Sequence, residues 1–153
     1  MDSATNGKTL PEFEDPINMP IVSWSDEYDV NIDKIDKQHR HLLQLVNDLH
    51  SAVEARIDKD ELKHMLVGLV EFTRTHFSTE EQLMEQHDYP GKSSHLREHR
   101  MLLRHLSDLV AAVSQGKYPT FYSDYDVSTD WALLHIEEYD KPLGIYLNHK
   151  RNQ

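Results

Sequence analysis

Six side chains able to bind a metal or move a proton fall where a helical sequence should be apolar: His39, His76, Glu80, His95, His99 and His135. Buried imidazoles and a buried carboxylate need hydrogen-bond partners or a metal. His76 and Glu80 are four residues apart, as are His95 and His99, so each pair projects from one helix face about one turn apart. That is metal-ligand spacing. Asp140 follows His135 by five, which on a regular helix swings it about 140° away. A π-bulge or the helix end must re-aim it, and bulges of that kind cluster at functional sites. A lone histidine on an apolar stripe is ordinarily a satisfied core residue. Five of them on four helices, in a shared ligand-like register, point to a metal instead. The other six of the 11 histidines, His41, His50, His64, His87, His105 and His149, fall mostly off the stripes and read as surface residues.

The chain has no cysteine, so thiolate zinc sites, iron-sulfur clusters, disulfides and cysteine nucleophiles are excluded, and any metal must take nitrogen and oxygen ligands. Five imidazoles, two bridging carboxylates and one bridging oxide or hydroxide fill eleven of the roughly twelve positions of two six-coordinate ions. One position stays open, where a small diatomic would bind. Such ligands accept zinc, manganese or cobalt as well as iron, so the identity of the metal rests on geometry and supply.

The elements that must position these groups are helical, with hardly any strand signal between them, and the chain reads as an all-α bundle. The first helix is expected from about Asp36 to Arg56, with a stripe at His39, Leu42, Val46, Leu49 and Val53. The second opens at Asp58, paired with Glu61 in a capping box, and ends near His87 before Tyr89-Pro90-Gly91. Its stripe is Leu62, Leu66, Leu69, Thr73, His76, Glu80 and Leu83. The third, capped by Ser93 or Ser94, carries His95, His99, Leu102, Leu106, Leu109 and Val113 and stops at Gly116. The fourth starts near Asp124 or Ser128, and Pro142 should kink or end it. Residues 1–20, with Pro11, Pro16 and Pro20, read as an irregular tail, and residues 21–150 as one domain. Trp24 to Asp36 reads as an extended arm laid over an apolar surface and anchored by its aromatics.

At 153 residues the chain can bury a core without staples. Its 27 acidic against 16 basic residues, a formal charge of −11, argue against nucleic acid as a partner. No apolar run is long enough to span a membrane and the N-terminus lacks a secretory pattern, so a cytoplasmic protein without membrane insertion is expected.

The ordered set His39, His76-x-x-x-Glu80, His95-x-x-x-His99 and His135-x-x-x-x-Asp140 resembles the ligand set of the hemerythrin family. The surroundings are similar to the bacterial form: Trp24, Tyr28, Ile35-Asp36-Lys37-Gln38-His39, His76-Phe77, Glu80-Glu81, Met84, and Trp131 before His135-Ile136. The resemblance covers residues 22–147. It implies an up-down-up-down four-helix bundle with an N-terminal arm, holding two non-haem iron ions and a bridging oxide or hydroxide. It further implies that His95, His99 and His135 hold one iron, His39 and His76 the other, and that Glu80 and Asp140 bridge both. Dioxygen would bind reversibly at the open position of the second iron, as a hydroperoxide, in a pocket of Phe77, Trp131, Ala132 and Ile136.

Oxygen-activating di-iron carboxylate proteins of the ferritin-like type use four carboxylates with two Glu-x-x-His motifs. This chain offers one such motif, Glu61 to His64, and its imidazole-rich set supplies less negative charge for high-valent iron, so binding rather than O–O cleavage is expected. Two positions depart from the family. Ala132 stands where a large apolar residue often walls the oxygen pocket, which admits ligand and water more easily unless Leu133, Leu134 or Met84 fills the space. Asn31 replaces a glycine of the arm, and asparagine tolerates the positive φ that a turn there requires. The leading reading is a free-standing oxygen carrier, store or delivery protein, with an oxygen-consuming protein as recipient. A sensor of oxygen, nitric oxide or redox state acting through a partner is the alternative. An oxidoreductase ranks third, because no spare buried acid, base or nucleophile is evident.

Overall fold

A computed structural model describes residues 23–117 and 130–152. The expected tail, and the start of the fourth helix near Asp124 or Ser128, lie outside the described residues. Helix α1 spans Asp33–Glu54, α2 Lys59–Gln86 and α3 Lys92–Ser114. The fourth rod is composite: α4 (Asp130–His135), one π-helical stretch (Ile136–Asp140) and α5 (Lys141–Arg151). Links of a few residues join α1 to α2 and α2 to α3, so neighbours run antiparallel, and the whole is an up-down-up-down four-helix bundle.

Two apolar clusters fill it. One joins Leu42, Leu43, Val46 and Leu49 of α1 to Leu62, Leu66 and Leu69 of α2, Leu102 and Leu106 of α3, and Ala132 of α4. The other, at the opposite end, is built from Val30, Ile35, Met84, Leu143 and Leu147. His39 lies between Ile35 and Leu42 in sequence, and His135 and Asp140 between Ala132 and Leu143. The polar residues therefore form a belt between two apolar plugs.

Helix α1 begins three residues before the expected Asp36, which shortens the arm. Asn31 takes φ 60°, the left-handed turn its type permits, and Ile32 is the extended cap residue. Asp33 and Asp36 then sit in the first turn, where acidic groups complement the helix dipole. Buried Asp36 accepts a hydrogen bond from the Val30 N–H at 2.8 Å, which ties the arm to the helix it precedes. The arm itself contains a 3-10 turn, Asp26–Tyr28, and Trp24 and Tyr28 pack against the first cluster as anchors.

Two capping expectations are corrected. Asp58 does cap α2, but its carboxylate accepts from the Asp60 N–H at 2.8 Å, and no capping box forms with Glu61. Neither Ser93 nor Ser94 caps α3: the cap residue is Gly91, without a side-chain hydrogen bond. The Tyr89 ring lies so close that a Cβ on Gly91 would meet it at 2.8 Å. The α3 terminus behaves as read, with Gly116 at φ 83°. Pro142 does not end the fourth rod. It falls in the first turn of α5, directly after the π-helical stretch, and the helix continues to Arg151.

Helix α5 also closes over the arm. A Cβ on Gly144 would stand 2.5 Å from the Val30 carbonyl oxygen and 2.8 Å from its Cβ, while Asn148 Nδ2 donates to that same carbonyl at 3.3 Å. Gly144→Ala gains about 1 kcal/mol of helix propensity, yet should lower stability by a net ~1–2 kcal/mol because backbone must move. Urea unfolding checks this, and a variant as stable as the parent would show that the arm is not held at this contact.

Candidate metal centre

All seven side chains read from the sequence come together. Glu80, Asp140, His39 and His76 are fully buried, and His95, His99 and His135 are at most 3 % exposed. Each helix delivers its share through a local device. The four-residue spacings in α2 and α3 stack His76 with Glu80 and His95 with His99 on inward faces. The π-helical stretch supplies the rest: Lys141 N–H donates to the Ile136 carbonyl, five residues back, and the wider turn brings Asp140 round beside His135.

The two carboxylates sit between two groups of imidazoles. Glu80 Oε1 faces His76 Nε2 at 3.0 Å and His39 Nε2 at 3.5 Å. Its other oxygen, Oε2, faces His99 Nε2 at 3.0 Å and His95 Nε2 at 3.3 Å. Asp140 divides in the same sense, with Oδ2 at 2.8 Å from His39 Nε2, and Oδ1 at 3.0 Å from His95 Nε2 and 3.1 Å from His135 Nε2. Two sets of atoms converge within 4.8 Å: Glu80, His95, His99, His135 and Asp140, and His39, His76, Glu80 and Asp140.

Only His99 Nε2 and Glu80 Oε2 are aligned as a hydrogen bond, at 3.0 Å, and for the other contacts proximity is not pairing. Nε2 of His39, His76, His95 and His135, Glu80 Oε1 and both Asp140 oxygens are buried without an aligned hydrogen-bond partner among the described residues. Groups that approach within 3 Å yet do not point at one another are aimed at a common point between them. A cation there would satisfy them together, so the residues fit a metal. Without one, protons balance the charge. Burial pulls the His39 imidazole down, but Asp140 and Glu80 outweigh it and hold the group at about 10. His95, under the same opposing influences, stands at about 9. Burial pushes Glu80 up, and the surrounding imidazoles, His76 foremost, override it and keep the carboxylate well below its usual range. A metal entering this site competes with protons.

The outer contacts fix which ring nitrogen is free. Thr79 donates its hydroxyl to the Thr75 carbonyl, so toward Gln38 it can only accept, and it does so from Gln38 Nε2 at 3.0 Å. That turns Gln38 Oε1 to His76 Nδ1 at 2.7 Å. His76 therefore donates through Nδ1 and offers the lone pair of Nε2 inward. His99 Nδ1 likewise donates, here to the Glu81 carboxylate at 3.0 Å. Neither Gln38 nor Glu81 was singled out as a contributor from the sequence, because cross-helix partners leave no periodic signal in a single chain.

Of the expected oxygen-pocket residues, Phe77 stacks on His99, with centroids 3.7 Å apart at 6°, and Ile136 and Ala132 are buried. The side chain of Trp131 lies outside the described residues. Leu134, 56 % exposed, does not fill space beside Ala132, and Met84 belongs to the second apolar cluster. Leu133 packs against the first cluster together with Ala132. Tyr139, which the sequence reading passed over, lies nearly parallel to the His135 ring at 5.4 Å.

The family model for the hemerythrin HHE cation binding domain matches residues 30–143. A bacteriohemerythrin of Methylococcus capsulatus is 28% identical over 127 residues, which cover 82% of this chain and 96% of that protein. One from Clostridium acetobutylicum is 31% identical over 124 residues, 77% of this chain and 95% of its own. The bacteriohemerythrin of Stenotrophomonas maltophilia is 31% identical over 90 residues, 59% of this chain and 58% of that relative, so there the likeness spans less than two thirds of the relative's length. The crystal structure of wild-type hemerythrin matches with a TM-score of 0.73 at 26% identity, over 83% of this chain and 98% of that one. The match and the buried His/Glu/Asp cluster together support non-haem iron binding. The chain belongs to the hemerythrin family.

Proposed function

We propose that this chain holds two non-haem iron ions with a bridging oxide or hydroxide and binds dioxygen reversibly, as a carrier, store or delivery protein of the cytoplasm. An oxygen-consuming protein would be the recipient. One observation carries the reading: each carboxylate turns one oxygen to the His39 side and the other to the His95 side. That is the arrangement two bridging carboxylates need, and it divides five imidazoles into a set of three and a set of two. His95, His99 and His135 would hold one ion, His39 and His76 the other, and Glu80 and Asp140 both.

Held by these seven side chains, a ferrous pair would supply the two electrons that reversible dioxygen binding requires. The protein's part is to hold the rings and exclude water. Gln38 and Glu81 lock the His76 and His99 tautomers, Phe77 covers the His99 ring, and the two apolar clusters close the belt from either end. With two carboxylates in place of four, the site favours holding oxygen over cleaving it. No helix among the described residues is long and apolar enough to cross a membrane.

Protein loaded anaerobically with ferrous iron should bind about two ions per chain, gain a visible charge-transfer band in air and lose it under argon. Oxidation at once, with no reversible band, would contradict a carrier and favour a sensor or enzyme. Chelation should lower the melting temperature by roughly ten degrees, since a ligand at a thousandfold its Kd contributes about 4 kcal/mol and each kcal/mol is worth about 2–4 °C at this size. Calorimetry with and without chelator measures it, and an unchanged midpoint would remove the metal from the folded state's energetics. At the pocket wall, Ala132→Leu should autoxidise more slowly than the natural protein, followed optically in air. A rate equal to or faster than that of the natural protein would show that Leu133 already closes the space.

A further inference from the structure

The two histidine groups are backed by unequal charge. On the side of His95, His99 and His135, the Glu81 carboxylate accepts the His99 Nδ1 proton at 3.0 Å, and Glu98 Oε1 lies 4.0 Å from His135 Nδ1. On the side of His39 and His76, the corresponding acceptor is the neutral amide of Gln38, at 2.7 Å from His76 Nδ1. The amide is locked in that sense, because the Thr79 hydroxyl is committed to the Thr75 carbonyl and can only accept from Gln38 Nε2. A carboxylate behind a ligating imidazole draws its Nδ1 proton outward and makes Nε2 a stronger donor, whereas an amide carbonyl orients the ring with much less effect on its basicity.

We infer that Glu81 and Gln38 grade the two metal positions, so that the His95/His99/His135 position is the tighter and fills first, with the Glu81 charge responsible for a large part of the difference. The inference rests on the two-metal reading of the centre and adds to it the order of filling. Glu81 is a positioning residue: it meets a ring, not a metal or oxygen. Its carboxylate is about two-fifths exposed, at 39 %. Replacing it by glutamine therefore removes charge while leaving a carbonyl oxygen able to accept the same hydrogen bond and hold the same tautomer.

The test is a stepwise titration of the full-length metal-free chain with cobalt(II), followed by the d–d absorption of the bound ion against a competing chelator. The natural protein should show two unequal steps. Glu81→Gln should weaken the first step by about tenfold, the lower end of what outer hydrogen-bond partners contribute to metal affinity, and leave the second unchanged. Gln38→Glu should strengthen the second step, since it puts a carboxylate charge behind His76 Nδ1 and gives up only the contact to Thr79, and the double exchange should bring the two steps together or reverse them. Glu81→Leu, which removes orientation as well as charge, should cost more than Glu81→Gln.

Two cobalt ions bound in equal steps, or a first step unmoved by Glu81→Gln, would overturn the grading while leaving the two-metal centre standing. A first step weakened by Glu81→Leu but hardly by Glu81→Gln, with no gain from Gln38→Glu, would also overturn it, because the loss would then follow ring position rather than charge. One ion or none bound to the natural protein would overturn the two-metal reading, and the grading with it.

Discussion

Everything in this fold answers to two carboxylates buried where water cannot reach them. Glu80 and Asp140 are both fully enclosed, and an unpaired charge in such a place costs several kcal/mol even after relaxation. Five imidazoles surround them, all at most 3 % exposed, and neither the carboxylates nor the rings are aligned to satisfy one another fully. Protons on His39 and His95 can balance the charge. Metal ions balance it better, since they meet lone pairs that otherwise end in empty contacts. The helices, the arm and the apolar clusters are the means of holding this arrangement against its own desolvation cost.

The bundle does so by division of labour. Heptad-like stripes bury leucines above and below the polar belt, and each stripe continues straight through it, exchanging leucine for histidine without a break in period. Only the fourth rod has to depart from regular geometry. His135 and Asp140 are one residue too far apart for an ordinary turn, and the π-helical stretch between them absorbs that residue. It also places Pro142 early in α5, where the helix runs on past it. The arm then ties the end of the bundle shut through Val30, which meets Asp36 on one side and Gly144 and Asn148 on the other.

Much of this was legible in the residues. Six convergent side chains and the helical class follow from spacing, because a helix converts sequence distance into direction, and the family resemblance adds Asp140, which needs a wide turn to join them. The positive φ of Asn31 was expected from the glycine that the resembled family has there, and asparagine permits it. The caps were less legible: α3 opens at Gly91 with no side-chain cap, ahead of Ser93 and Ser94, and Asp58 accepts from the Asp60 N–H with no capping box to Glu61. The outer partners Gln38 and Glu81 were not legible at all as contacts. They depend on how α1, α2 and α3 face each other across the bundle, information that periodicity within one helix does not hold.

The claim at the centre of this account is that Glu80 and Asp140 each span two metal positions. Anomalous diffraction at the iron edge from iron-loaded crystals measures it directly. The account predicts two iron peaks per chain, roughly 3–4 Å apart, one beside His39 and His76 and one among His95, His99 and His135, with the two carboxylates between them. A single peak, or peaks away from these seven side chains, would contradict it.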